Sequence, residues 1–597
     1  MAPPPGIVFL RAKLPRLLGP TIALALLRVV ANKYLDAKLP IPGWLQNLLL
    51  IASVPGFFAL RVYWGWYRTL REARLAGAAL PPTIPSKRPG GIDLLKSMAG
   101  GNLLAEFLTK HSKELGHTYN FRALFENRIF TTEPEHMKQI LATEFTNWEK
   151  GDIFKSIFQP LLGNGVFNSD GEMWKFHRSM TRPFFSKARI SHFELFGRHS
   201  DIAIALMKER FKSGHSIDFQ DLIARFTLDS ATEFLFSKNM HALSAGLPYS
   251  PLVSSSDATP LGDDFATKFS NAFSLAQEKT AGRSRYGASW PLFNFWGVRT
   301  KDSMDIINAF IDPIMREAVA KKKENSKQIR SESAVDSDAD EGESFLDNLV
   351  KHTEDPILLR DEILNIMIAG RDTTASTLTF AVYCLAMYPE ILARLRQEVL
   401  TKVGTERHPT YDDLRDMKYL RAVINETLRL YPPVPFNSRC SVNATTLPNN
   451  KPGAKPFFMP AKTRCLYSVL LMHRRKDLWG PDADLFDPDR FLDSRLQTYL
   501  TPNPFIFLPF NAGPRICLGQ QFAYNEISFM LVRLLQSFDG ISLAADEQPE
   551  EARPPPEWSE TDDRWSMERI RPKVHLTLHA QGGLWVRMSE AAPSEVA

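Results

Sequence analysis

A single cysteine, Cys517, lies between two glycines in a segment whose composition suits a metal ligand. Arg515 stands just ahead of it, and a helix-like apolar run from Gln521 to Phe538 follows. Positive charge and a helix N-terminus both lower the pKa of a cysteine, and the thiolate is the form that binds metal. Gly513 and Gly519 have no side chain, so the backbone can turn sharply and approach a flat cofactor closely. The segment therefore predicts an iron site with Cys517 as ligand.

A polar group of residues also interrupts an otherwise apolar helix. Asp355 and Pro356 suit the N-cap and first turn of this helix, which we expect to continue to about Met387. Asp372 and Thr373 lie inside it, where such residues weaken the helix or compete with its hydrogen bonds. A conflict of this kind in a good helix indicates a function. A hydroxyl backed by an acid can relay protons through a locally opened helix.

Two further pairs have helical spacing. Trp174 and Arg178 are four residues apart, so an indole N–H and a guanidinium lie on one face and suit a carboxylate. The alternative is a core tryptophan beside a surface arginine. Glu426 and Arg429 lie three apart on a helix that ends before Pro432, and their apolar flanks favour a buried pair over a surface one.

These motifs resemble those of the cytochromes P450, the haem-thiolate monooxygenases. The family pattern Phe-x-x-Gly-x-Arg-x-Cys-x-Gly is matched from Phe510 to Gly519; the alternative is a structural cysteine beside a glycine turn. The resemblance covers about Pro85 to Met588 and implies a mainly α fold with small β-sheets. His473 to Phe491 is most similar to fungal alkane and fatty-acid hydroxylases.

The resemblance also implies the roles of individual residues. Haem b (iron protoporphyrin IX) is expected between the helix of Asp372 and the helix that follows Cys517, its axial ligand. Asp372 and Thr373 are expected to relay protons to O2, the co-substrate. The expected cofactor-binding residues are Phe510 over the sulfur, Gly513, Arg515, Cys517 and Gly519 in the loop, with Trp174, Arg178 and Arg439 at the propionates. The expected structural residues are Glu426, Arg429 and Arg490.

The N-terminal region predicts a membrane anchor. Residues 41–60 contain no charge and are long enough to cross the hydrocarbon core of a bilayer. Aromatic residues and arginines follow them, as at a membrane interface. A shorter apolar stretch at residues 17–30 is a possible second segment. We therefore expect an anchor region at residues 1–80 and a catalytic domain at 81–597; a buried core helix is the alternative for the 41–60 stretch.

Composition restricts the remaining possibilities. The net charge of +5 is small for 597 residues, so it does not indicate nucleic-acid binding. The four cysteines are too few for a disulfide framework and favour a reducing compartment. Because no flavin or nicotinamide fingerprint is present, the resemblance implies electrons from NADPH through a separate membrane-bound reductase. Basic side chains near Lys175, Arg182 and the stretch from Arg474 to Lys476 are expected to contribute to docking of that reductase. The expected location is the endoplasmic reticulum membrane, with the catalytic domain facing the cytosol.

The expected function is insertion of one atom of O2 into apolar molecules such as alkanes, fatty acids or hydrophobic xenobiotics. Two alternatives stay open: a haem-thiolate isomerase or dehydratase that does not use O2, and a non-catalytic haem sensor. Two other features have a structural interpretation. His473 is interpreted as a polar loop histidine, and the alternation from Val574 to Met588 around Gly582-Gly583 predicts a hairpin.

Overall fold

The computed structural model describes residues 3–34, 41–100, 104–185, 193–253, 264–329 and 344–592. Helices dominate these residues, which confirms the mainly α class with small sheets. The helices are α1 Pro5–Tyr34, α2 Gly43–Leu75, α3 Ile92–Gly100, α4 Leu104–Leu115, α5 Pro134–Lys138, α6 Gly151–Leu162, α7 Gly171–Thr181, α8 Glu194–Lys212, α9 Phe219–Phe236, α10 Phe265–Gly282, α11 Trp290–Phe293, α12 Lys301–Ile329, α13 Phe345–His352, α14 Pro356–Met387, α15 Pro389–Lys402, α16 Tyr411–Asp416, α17 Lys418–Leu430, α18 Val469–His473, α19 Lys476–Trp479 and α20 Gln520–Ser537.

The strands are short. They are β1 Thr118–Asn120, β2 Arg128–Thr131, β3 Trp148–Glu149, β4 Ile217–Asp218, β5 Phe436–Ser441, β6 Thr445–Leu447, β7 Phe457–Met459, β8 Arg464–Ser468, β9 Phe538–Leu543, β10 Pro572–Val574, β11 Leu578–Ala580 and β12 Trp585–Glu590. Strand β12 pairs antiparallel with β4 and β9, with Val586 opposite both Ile217 and Leu543. Strands β10 and β11 form a separate antiparallel pair, as do β6 and β7.

The chain forms two compact units. The first contains the described residues up to Phe130, together with Arg283–Arg299 and Cys440–Cys465. The second contains Thr131–Gly282, Thr300–Arg439 and the described residues from Leu466 onward, and every predicted site residue belongs to it. The functional boundary expected between residues 80 and 81 stays a prediction.

The first unit carries two helices that are long and apolar enough to cross a membrane, namely residues Pro5–Lys33 of α1 and the whole of α2. The predicted 41–60 span lies almost entirely in α2, and the 17–30 segment lies in α1. The two helices contact each other through a hydrogen bond between the Thr21 and Ser53 hydroxyls at 2.7 Å. Apolar side chains such as Ile51, which is 71% exposed, cover their outer surfaces.

The core of the second unit is built around α14. The N-cap prediction is confirmed, because the Asp355 carboxylate accepts hydrogen bonds from the Ile357 and Leu358 N–H groups. The helix ends at Met387, as predicted, and it packs against α9, α17 and α20. Nearly all of its side chains from Thr374 to Leu385 are buried, so α14 is an internal scaffold for the residues that face it.

The predicted hairpin around Gly582-Gly583 is wrong. The hairpin turn instead lies between β10 and β11, and the chain leaves it after Ala580 to join β9 and β4. Alternation of residues showed that strands were present, but it did not identify their partners, because the choice between two nearby sheets depends on which edge is free.

Candidate functional site

The loop that carries Cys517 is closed by its own backbone. The Cys517 N–H donates to the Phe510 carbonyl oxygen at 3.1 Å, ahead of the N-terminus of α20. Gly513 has φ +68°, and a Cβ there would overlap the carbonyl oxygen of Leu141, so the sharp turn requires glycine. Gly519 has an ordinary φ of −83°, so the turn does not require glycine at that position.

Cys517 differs from the other cysteines in its accessibility. Cys384 and Cys465 are buried, and burial raises the pKa of both thiols, whereas the Cys517 side chain is exposed. Protein nevertheless surrounds much of the Cys517 thiol, and this desolvation raises its pKa. The Gly519 N–H and the Arg178 guanidinium act in the opposite direction. Cys517 is therefore a thiol that a ligand can reach from within the fold.

Arg515 does not act on the thiol as the sequence predicted. Its Nη2 donates to the Ser169 carbonyl oxygen at 3.0 Å and to Asp170 Oδ1 at 2.9 Å. The cation that lowers the pKa of Cys517 is instead Arg178, whose Nη2 donates to the carbonyl oxygen of Ile516 at 2.9 Å. The Phe510 ring lies 5.3 Å from the ring of Tyr524, and its place over the sulfur stays a prediction.

Trp174 brings two of the predicted cations together. The Arg515 guanidinium lies 4.6 Å from the centre of the Trp174 ring, and the Arg178 guanidinium lies 5.9 Å from it. Arg439 is 3% exposed and donates to the carbonyl oxygen of Ser438. Burial lowers the pKa of Arg515 to about 10, and the charge of Arg439 is the second cause of this decrease. One electrostatic group thus contains four of the residues that the sequence predicts to bind the cofactor, namely Trp174, Arg178, Arg439 and Arg515.

Lys150 is a member of this group that sequence reasoning missed. Burial, followed by the charges of Arg439 and Arg515, holds the pKa of Lys150 well below its usual range. Asp170 is its nearby anion, and the backbone N–H of Lys150 and the Arg515 guanidinium lower the pKa of that carboxyl despite burial. No motif distinguished Lys150, because a lysine ahead of a helix is common on any surface.

The cation group has more positive charge than its surroundings compensate. The cation group consists of Lys150, Arg178, Arg439 and Arg515. Among the described residues, Asp170 is the carboxylate that acts on Lys150 and Arg515, it also pairs with Lys155 at 3.5 Å, and Arg515 Nε has no hydrogen-bond partner. Buried cations are costly without anionic partners. The donor set therefore fits a ligand with two carboxylates, such as the propionates of haem, beside an accessible thiol.

Asp372 and Thr373 occupy successive positions on α14. Thr373 Oγ1 donates to the Ala369 carbonyl oxygen at 2.7 Å, and the helix is continuous here, so the predicted local opening is absent. The Asp372 carboxylate accepts from Gln277 Nε2 at 2.7 Å and from Arg371 Nη1 at 3.0 Å. Burial raises the pKa of Asp372, and these two partners oppose the increase. Sequence reasoning missed Gln277, which lies 95 residues away on α10.

The structural pair is buried as expected. Arg429 donates to both Glu426 oxygens at 2.7 Å, and its remaining donors bind the carbonyl oxygens of His473, Ala483 and Leu485. Arg490 Nε lies 3.6 Å from Glu426 Oε1, and its Nη atoms bind Asp482. Glu426 is thus the carboxylate that both arginines share.

His473 is a buried structural residue rather than a polar loop histidine. The Leu508 N–H donates to its Nε2 at 2.9 Å, and its Nδ1 faces the Arg429 carbonyl oxygen at 3.2 Å. Burial and the Arg429 charge lower the pKa of His473 to about 3, so the ring is neutral. It therefore connects α17 to the segment that leads into the Cys517 loop.

Glu526 is a buried acid that the sequence did not reveal. It lies on α20, 1% exposed, and neither carboxyl oxygen has a hydrogen bond of normal geometry to the described residues. Burial raises its pKa to about 8, although the hydroxyls of Thr374 and Ser230 act in the opposite direction. Glu526 is therefore a neutral acid near pH 7 that connects α20 with α14 and α9.

Comparisons with known proteins show which family this chain belongs to. The model of the cytochrome P450 family matches residues 91–557. Cytochrome P450 52E1 of Candida apicola is 35% identical over 524 residues, which cover 86% of this chain and 93% of that protein. Cytochrome P450 52-E3 of Starmerella bombicola is 36% identical over 499 residues, 82% of this chain and 91% of that protein. Cytochrome P450 monooxygenase himC of Aspergillus japonicus is 36% identical over 488 residues, 81% of this chain and 78% of that protein.

Proposed function

The chain belongs to the cytochrome P450 family and is a haem-thiolate monooxygenase, and from this premise we propose that it hydroxylates long-chain apolar molecules such as alkanes or fatty acids. Similarity to several family 52 enzymes of yeasts supports the substrate class. Two exposed apolar helices support it too, because a membrane-associated enzyme can take such molecules from lipid. Hydrophobic xenobiotics have the same physical character and are the second substrate class.

Cys517 and the cation group would hold the haem. Cys517 would supply the thiolate that binds the haem iron, and Lys150, Arg178, Arg439 and Arg515 would supply donors for the two propionates. Haem bound in this way supplies activation of O2 and transfer of one oxygen atom to the substrate, while the other leaves as water.

Asp372 and Thr373 supply the protons that this reaction consumes. Burial raises the pKa of Asp372, so this carboxyl holds a proton more readily than an exposed aspartate does. The Thr373 hydroxyl, which donates to the Ala369 carbonyl oxygen, would pass on a proton that reaches it from Asp372 through water. Neither an isomerase nor a haem sensor has a use for this pair, and the comparisons support neither alternative.

Electrons reach the family from a separate reductase, and we infer that NADPH–cytochrome P450 reductase is the donor here. Helices α1 and α2 would anchor the chain beside it. A location in the endoplasmic reticulum membrane, with the catalytic unit toward the cytosol, follows from that partnership.

The observation that carries the proposal is an accessible cysteine beside an undercompensated cation group. The test is the carbon monoxide difference spectrum of the dithionite-reduced full-length protein. We expect the red-shifted Soret band of cysteinate-ligated haem, and we expect Cys517→His to move it to the position of histidine-ligated haem. A wild-type band at the histidine position in folded protein would exclude Cys517 as the ligand.

A second test separates the monooxygenase from the alternatives. Thr373→Ala should lower the product formed per NADPH on a fatty-acid or alkane substrate by about 100-fold, the lower end of the range for a positioned proton donor. Thr379→Ala is the matched control, because that buried hydroxyl also bonds to a carbonyl four residues earlier on α14. Unchanged coupling in Thr373→Ala would contradict the relay.

A further inference from the structure

Helix α10 holds the Asp372 carboxylate from outside α14. Gln277 Nε2 donates to Oδ2 at 2.7 Å, while Arg371 Nη1 on α14 donates to Oδ1 at 3.0 Å. Each oxygen therefore has one donor, and the carboxylate cannot rotate without losing a hydrogen bond. Because one donor is on α14 and the other on α10, the orientation of the acid depends on both helices.

Arg371 also depends on α10. Its Nη2 donates to Ser270 Oγ at 2.7 Å, and its guanidinium lies 5.1 Å from the centre of the Phe273 ring. Ser270, Phe273 and Gln277 are spaced three and four residues apart, so they lie on one face of α10. One helical face thus holds both donors of the Asp372 carboxylate, directly through Gln277 and indirectly through Arg371.

This contact is shielded from water. Gln277 is 5% exposed and Arg371 is 3% exposed, so little solvent competes for their donors. Burial raises the pKa of Asp372. Among the described residues, the charged Arg371 and the neutral Gln277 oppose this increase. A buried hydrogen bond that is lost without replacement leaves an unsatisfied polar group, which is costly.

We propose that Gln277 is a positioning residue for proton transfer, with α10 fixing the direction in which the Asp372 carboxyl presents its proton. The proposal rests on the relay role of Asp372 and Thr373. In the transfer, the proton leaves the Asp372 carboxyl and reaches the Thr373 hydroxyl through water, the hydroxyl passes its own proton on, and solvent reprotonates the carboxylate. No electron moves in these steps, and Gln277 touches only the acid.

The test uses full-length holoenzyme with its reductase and a fatty-acid or alkane substrate. Gln277→Leu removes the donor but keeps the volume, so product per NADPH should fall about fivefold, the effect of one hydrogen bond. Loss of a donor that favours the carboxylate should also move the pH profile of coupling to higher pH. Infrared pH titration of the protonated carboxyl band, assigned with Asp372→Asn, measures the same displacement without turnover.

Gln277→Glu provides a rescue that a purely structural role would not show. A protonated glutamic acid can donate to Asp372 Oδ2, whereas an ionised one repels it, so coupling should recover as pH falls. Ser274→Leu is the control, because Ser274 is exposed on another face of α10. Ser270→Ala, which releases Arg371, is a milder second variant should Gln277→Leu fail to fold.

The outcomes distinguish this proposal from the proposed function. If Thr373→Ala uncouples the enzyme while Gln277→Leu keeps wild-type coupling and pH profile, the relay stands and the positioning role is wrong. If Gln277→Leu lowers only haem content or thermal stability, with coupling per haem unchanged, Gln277 is a packing residue and the proposal is again wrong. If Thr373→Ala leaves coupling unchanged, both fall together.

Discussion

At the scale of single residues, Lys150 is a cation that protein surrounds beside two arginines. Its pKa is lowered by burial and by Arg439 and Arg515, which means that the folded protein without an anionic ligand disfavours the ammonium form. A dianionic ligand would reverse this preference, because opposite charges favour the charged form. Lys150 is therefore better suited to bind an anionic ligand than to serve a structural role.

We expect Lys150→Met to increase the rate of haem loss to an external haem acceptor by about 10-fold, since a hydrogen bond to a charged group is lost. Lys138→Met is the control, because the Lys138 side chain is 45% exposed and pairs with nearby Glu135 on α5. Equal haem loss in the two variants would mean that Lys150 makes no contact with the propionates.

Glu526 is the second residue whose environment predicts a measurable effect. Its pKa rises from 4.5 to about 8 on folding, so the folded protein keeps a proton that the unfolded chain releases. Stability therefore falls as pH rises from about 4.5 toward about 8, because the unfolded state binds fewer protons in that range. This is the opposite of the usual behaviour of a paired carboxylate.

We expect Glu526→Gln to remove this dependence. Relative to the wild type, its free energy of unfolding should be similar near pH 5 and larger near pH 8. The difference should grow by up to roughly 1.4 kcal/mol per pH unit. Denaturation followed by circular dichroism at several pH values measures it. A constant difference across this range would show that Glu526 does not titrate on unfolding.

At the scale of elements, long-range contacts hold the Cys517 loop in addition to its own backbone hydrogen bond. Gly513 lies against the backbone of Leu141, and Arg515 bonds to Asp170 ahead of α7. His473 connects α17 to Leu508 at the start of this segment. The position of the thiol thus depends on three separate parts of the chain.

The two loop glycines give a matched pair of variants. Gly513→Ala places a Cβ against the Leu141 carbonyl at a positive φ, so we expect loss of the thiolate spectrum and lower thermal stability. Gly519→Ala meets only the Phe185 ring at 3.5 Å, so the apoprotein should keep its stability. Loss of haem from Gly519→Ala alone would then show that this glycine is needed for close approach of the cofactor. A stable, haem-loaded Gly513→Ala would contradict the first expectation.

At the scale of the whole molecule, the structure corrects the surface expected to bind the reductase. Sequence reasoning predicted docking residues near Lys175, Arg182 and the stretch from Arg474 to Lys476. The side chains of Arg474 and Arg475 are only 8% and 9% exposed and bind backbone carbonyls of Leu430 and Thr132. They are structural, whereas Lys175 and Arg182 are exposed on and just after α7.

We expect the double variant Lys175→Glu, Arg182→Glu to slow reduction by the reductase several-fold at low salt and to weaken its salt dependence. Stopped-flow reduction under carbon monoxide measures both quantities. Lys402→Glu, which reverses an exposed charge at the end of α15, is the control. The same rate and salt dependence in all three proteins would place the docking surface elsewhere.

The sequence by itself determined the elements and the chemistry that depend on neighbours along the chain. The cap at Asp355, the end of α14, the Cys517 loop and the buried Glu426–Arg429 pair follow from local rules and short spacings. These motifs also identify the family of the chain, because their chemistry does not depend on how the helices pack.

Only the tertiary structure decided which distant groups meet. Arg515 bonds to Asp170 instead of acting on the thiol, Lys150 joins the cations, and Gln277 holds Asp372 from another helix. Strand β12, which follows Gly583, likewise pairs with β9 and β4 instead of forming a local hairpin. Such partners are separated by tens to hundreds of residues, and their energies arise from burial and from the loss of water, which packing creates and local sequence does not encode.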